Sequence, residues 1–112
     1  MSNSNNFLFS SAIEWEQLNW GMRRQILGYD DRIMMVKVDF LTGGVGDVHS
    51  HVHCQSTYVV SGVFEFEING EKHIVKAGDG LYMESNVSHG VKCLEAGLLI
   101  DTFSPVRKDF LK

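Results

Sequence analysis

The chain has 112 residues, enough for one compact domain spanning 1–112 and too few for two. Lys and Arg number 10 against 14 Asp and Glu, and the net charge of −4 with no basic cluster excludes nucleic acid and an anionic membrane surface as expected partners. No apolar run approaches the roughly 20 residues of a membrane span. The start, MSNSNNFLFSS, has neither the basic nor the long apolar region of a secretory leader, so a cytoplasmic location is expected, with Cys54 and Cys93 as reduced thiols.

Taken in order, the elements read as strands. A short apolar segment at residues 7–9 comes first, and residues 14–18 read as one helical turn. Residues 22–27 form a strand, Tyr29-Asp30-Asp31 a turn, and residues 32–40 a long strand. In that strand Met34, Val36, Val38 and Phe40 share one face. Three glycines make residues 41–48 a loop. Residues 57–60 are apolar and β-branched, and 63–68 alternate, with Phe64, Phe66 and Ile68 on one side. Asn69-Gly70 is a strong hairpin signal, and residues 72–76 return from it. After the turn Ala77-Gly78-Asp79-Gly80, strands at 81–84, 89–94 and 97–103 complete the chain. Many short strands with glycine punctuation predict an all-β sandwich or barrel-like jelly roll.

The chemistry concentrates in His49-Ser50-His51-Val52-His53. On an extended strand, residues i and i+2 point the same way. His49, His51 and His53 could then face one space, and Gln55 continues the parity with an amide oxygen. A bend near Val52 would let only some of them reach one ion. Imidazole suits Zn, Ni, Fe, Cu or Mn. His73 lies in a charged hairpin strand and is expected to be solvated. Near the C-terminus, Asp101 shares a face with Phe103 inside an apolar strand. The sequence leaves open whether that face is the interior or solvent. If interior, Asp101 is a candidate acid/base whose pKa burial would raise. Arg107, two residues past Pro105, has the planar fork that grips carboxylates.

The wider spacing is more specific. Gly43, five residues, His49-x-His51, three residues, Gln55, six residues and Gly62 form one segment. Gly78, five residues, Glu84-x-Asn86, two residues and His89 form another. These segments, at 43–62 and 78–93, resemble the two signature motifs of the cupin family. The resemblance implies a single-domain cupin, a double-stranded β-helix, whose one divalent metal is held by His49, His51, Gln55 and His89. Gln55 stands where cupins usually have Glu, so all four donors are neutral and the site should favour an anionic ligand. His53 falls off the cupin spacing and is expected beside the ligands, not among them.

From Trp15 to Leu111 the chain also resembles the small cupins called pectin degradation proteins. The match includes Gln25-Ile26-Leu27, Asn86-Val87-Ser88-His89, Leu99-Ile100-Asp101, Phe103-Ser104-Pro105 and Arg107-x-Asp109-Phe110. That resemblance implies an isomerase-type enzyme that opens 4,5-unsaturated uronates to the linear 4-deoxy-5-keto-uronates. Asp101 and Arg107 would be catalytic, with Phe103 and Arg107 on the substrate. The ion would be Ni, Zn, Fe or Mn, the partner a small anionic sugar, and the assembly a homodimer, for which the apolar segment 7–9 offers a contact. The competing readings are another metal-dependent cupin enzyme, a dioxygenase or sugar isomerase, and a non-catalytic cupin that binds a sugar acid.

Overall fold

The computed structural model describes residues 2–111. Among the described residues ten strands follow in order: β1 (Glu16–Asn19), β2 (Met22–Tyr29), β3 (Met34–Phe40), β4 (Val45–His49), β5 (Cys54–Val59), β6 (Val63–Ile68), β7 (Glu71–Lys76), β8 (Gly80–Met83), β9 (His89–Glu95) and β10 (Gly97–Ser104). All pairings are antiparallel. One sheet has the order β1-β2-β3-β10-β5-β8, the other β4-β9-β6-β7. No helix among the described residues is long and apolar enough to cross a membrane.

The core lies between the sheets. The alternating residues of β3, Met34, Val36, Val38 and Phe40, are all buried, while Met35 faces out. They cluster with Leu99 and Phe103 of β10 and with Phe64 and Phe66 of β6. Phe40 and Phe64 meet edge to face across the sheets, ring centroids 5.2 Å apart. Truncating such a buried ring to Ala costs about 3–5 kcal/mol.

Two turns show why particular residues stand where they do. Asn69 (φ 51°) and Gly70 (φ 83°) are both left-handed, the geometry that matches the twist of the β6–β7 hairpin. Gly62 has φ +87°, and a Cβ there would lie 2.6 Å from the Glu95 carbonyl oxygen. Cys54 and Cys93 are free, as expected, and burial pushes the Cys93 thiol upward.

Two local expectations are corrected. Residues 14–18 do not form a helical turn; Glu16–Asn19 is an edge strand, tied to β2 by the cross-strand pair Glu16–Arg24 at 3.0 Å. The short helical turn falls at Ser10–Ala12 instead. The glycine-rich stretch 41–48 is not all loop, because Val45–His49 pairs with β9. Val45 and Val48 are both exposed, so this strand is held by its ladder and leaves no burial pattern in the sequence.

Candidate metal centre

The strand registers assemble the site. β4 and β9 set His49 opposite His89 in the four-stranded sheet. In the six-stranded sheet, β5 and β10 set Gln55 opposite Phe103 and Thr57 opposite Asp101. Gln55, Thr57 and Val59 point inward while Ser56 and Tyr58 point out. In β10 the inward phase is Leu99, Asp101 and Phe103. The inner face of β5 therefore runs from the core residue Val59 to the polar Thr57 and Gln55, and that of β10 sets Asp101 between the core residues Leu99 and Phe103. The segment 50–53 joins β4 to β5 and carries His51 from one sheet to the other.

Three imidazoles converge. Ring centroids lie 4.6 Å apart for His49 and His89, 4.9 Å for His51 and His89, and 5.5 Å for His49 and His51. One nitrogen from each falls within 4.8 Å of the other two, so the three are positioned to bind a metal. The backbone selects the tautomers. Nδ1–H of His49 donates to the Asp47 carbonyl at 2.7 Å, and Nδ1–H of His89 to the Val87 carbonyl at 3.1 Å. That leaves each Nε2 lone pair for an ion, the usual outer support of a metal-binding imidazole. Burial, together with the positive charge of Arg107, holds His51 down at about 4. Burial likewise lowers His89. Both are neutral near pH 7, as ligation requires.

The residues fit an ion on one further observation. Nε2 of His51 lies 3.2 Å from Oε1 of Gln55. Two donors bonded at about 2.1 Å and at right angles on one ion stand about 3 Å apart. Gln55 thus stands where a fourth donor would.

Of the two arrangements open for this tract, the structure has the one in which the chain bends and only some of the side chains converge. β4 ends at His49 and β5 begins at Cys54, so the parity is lost in between. His53 lies beside the cluster, 5.2 Å from the His51 ring and 6.4 Å from Phe103. His73 is exposed on β7, against Glu71.

Behind Gln55 runs a buried relay. Its Nε2–H donates to Oγ1 of Thr57 at 3.0 Å, and the Thr57 hydroxyl donates to Oδ1 of Asp101 at 2.7 Å. All three side chains are buried. The relay has one direction, because an amide can donate to Thr57 and a carboxylate at position 55 could not. Asp101 faces the interior. Burial raises its carboxyl to about 6 against the pull of hydrogen bonds from Thr57 and Gln55 and the charge of Arg107.

Arg107 follows the buried anchor Val106, whose N–H donates to the Asp31 carbonyl. Asp109 grips it twofold, from Nε at 3.1 Å and Nη2 at 2.9 Å, and is itself lowered by that contact. The guanidinium lies 5.0 Å over the Phe103 ring. A cavity of about 250 Å³ has His49, Gln55, His89, Asp101, Phe103 and Arg107 in its wall, with apolar surface from Met22, Phe40, Phe66 and Val91.

A family model for the cupin domain matches residues 36–101. The chain is a cupin. This cupin is 50% identical over 107 residues to the pectin degradation protein KdgF of Dickeya dadantii (strain 3937), covering 94% of this chain and 97% of the relative. It superposes on an RmlC-like cupin from Shewanella frigidimarina NCIMB 400 with a TM-score of 0.96 at 41% identity, covering 99% and 100% of the two chains. KdgF from a Halomonas species follows at 0.91 and 37%, covering 96% and 100%. The expected family and all-β cupin fold are thereby shown.

Sequence reasoning singled out neither Thr57, Asp109 nor Arg24. Thr57 is two residues past Gln55 on one strand and so shares its face, a parity signal that was there to be read. Asp109 stands two residues past Arg107. Arg24 alternates with Met22 and Ile26.

Proposed function

We propose that this cupin converts single-ring 4,5-unsaturated uronates into linear 4-deoxy-5-keto-uronates, with one divalent ion held by His49, His51, Gln55 and His89. One observation carries the reading: a buried carboxyl, Asp101, stands in the wall of the cavity that also takes in His49, His89 and Arg107. The pectin degradation relative supports the substrate class.

The reaction is an isomerisation. The C1 hydroxyl loses a proton, the bond from C1 to the ring oxygen opens to an aldehyde, and the released enolate takes a proton at C4 to become the 5-ketone. Asp101 carries the proton, oriented by the Thr57 hydroxyl. Arg107, already fixed by Asp109, holds the substrate carboxylate in place. Phe103 packs against the sugar face. A bound divalent ion supplies Lewis acidity toward a substrate oxygen. The chain's four donors are neutral, so they leave the ion's charge to be met by an anionic ligand.

The test is to incubate metal-loaded protein with unsaturated galacturonate and follow loss of the ultraviolet absorbance of the conjugated alkene. Acceleration over the spontaneous rate is expected in the wild type, and its loss in Asp101→Asn with metal content unchanged. No acceleration with metal bound overturns the reading. We also propose a cytoplasmic homodimer with the exposed Phe7 and Phe9 at its contact; a monomer mass by light scattering overturns that part.

A further inference from the structure

β2 turns Met22, Arg24 and Ile26 to the same side, and Met22 and Ile26 pack against the core. An arginine in that phase sits where the barrel otherwise holds apolar side chains. Its side chain is only 11% exposed. Burying a guanidinium is unfavourable unless its charge and donors are met. Glu16, opposite on β1, takes Nε–H at 3.0 Å. A guanidinium has five N–H donors in a planar fork, so one engaged through Nε can still serve another oxygen.

Arg24 is built like Arg107. Each is about nine-tenths buried and held by an acid, Glu16 for one and Asp109 for the other. Each packs on the same ring, with guanidinium carbons 3.7 Å (Arg24) and 4.2 Å (Arg107) from the Phe110 centroid. Both stand in the wall of the cavity that holds Asp101, and neither Glu16 nor Asp109 does. Two guanidiniums therefore face a single cavity carboxyl. Each guanidinium has more N–H donors than the contacts with its own acid use, and an anion bridging both would meet donors from each. A carboxylate has one oxygen for each. The cavity, about 250 Å³, is below the roughly 300–1,000 Å³ of sites for larger ligands, so it suits one sugar ring.

We infer that Arg24 is a second substrate-contacting arginine, which with Arg107 clamps the carboxylate of a single-ring sugar acid in the cupin cavity. This deepens the uronate reading and rests on it for the identity of the substrate. The test uses metal-loaded protein and two probes, galacturonate and its methyl ester, with binding read by calorimetry. Arg24→Gln should weaken galacturonate binding about 10- to 100-fold, the loss of one charged hydrogen-bond contact, and leave the ester unchanged. The KM for unsaturated galacturonate should rise in parallel while kcat stays within a few-fold. Arg24→Lys keeps the charge without the fork; it should show a smaller loss of the same selectivity and serves if Arg24→Gln does not fold. Galacturonate affinity within twofold of wild type overturns the inference, as does equal weakening of both probes, which marks a structural ion pair. A wild type that fails to prefer the acid over the ester also overturns it. If Arg24→Gln loses acid selectivity but the wild type does not accelerate ketonisation, the Arg24 contact stands and the reaction falls.

Discussion

Replacing Asp101 by Asn should make the metal-free protein more stable. Folding carries this carboxyl from an ordinary 3.8 to about 6. At 1.36 kcal/mol per pH unit, the charged form costs the folded state about 3 kcal/mol above pH 6. Asn keeps an oxygen to accept the Thr57 hydroxyl, but its new N–H donors need partners and return about 1 kcal/mol of that gain. The net is about 2 kcal/mol, roughly 8–10 °C in Tm for a domain of this size. The sign follows from proton uptake. Between about pH 4 and 6 the folded wild type holds this proton more readily than the unfolded chain, so its stability falls as pH rises. The variant has no such dependence. The assay is thermal unfolding by circular dichroism of chelator-treated wild type and variant at pH 4, 5, 6 and 7.5. Contributions from His51 and His89 are common to both proteins and cancel in the difference. The gap should be small at pH 4, grow to pH 6 and then level off. A variant that melts at or below wild type at pH 7.5, or a gap that does not change with pH, would refute the buried-charge account.

Thr57→Val removes the hydroxyl between Gln55 and Asp101 and should cost about 1–3 kcal/mol through unmet buried polar groups, measured by urea unfolding. Gln55→Glu should retain metal by elemental analysis yet lower turnover at least tenfold, because a carboxylate at 55 draws the Thr57 hydroxyl away from Asp101. Gly62→Ala should destabilise by more than about 3 kcal/mol, given the 2.6 Å clash with the Glu95 carbonyl oxygen. Gly78→Ala, equally left-handed at φ +95° but in open space, should cost only about 1–2 kcal/mol. Similar denaturation midpoints for these two glycine variants would refute the close-approach argument.

What could be read along the chain was local or periodic. The alternation of β3 identified its buried face because the pleat repeats every two residues, and Asn69-Gly70 identified its hairpin because a two-residue turn needs left-handed backbone. β4 escaped because its partner, β9, is distant in sequence and its valines stay exposed. β1 escaped because Glu16 gains its partner, Arg24, only when the edge strand pairs. The parity argument stopped at His49, where β4 ends; His51 and His53 lie where the chain is crossing between sheets.

By itself, then, the sequence determined the all-β class, the inward face of β3, and the donors that spacing brings together. Those depend on side-chain type and interval. Only the tertiary structure decided that Asp101 faces inward with a raised pKa, that Thr57 links it to Gln55, and that Arg24 joins Arg107 on Phe110. Those depend on burial and on strand register, which bring to one cavity residues that no interval along the chain relates.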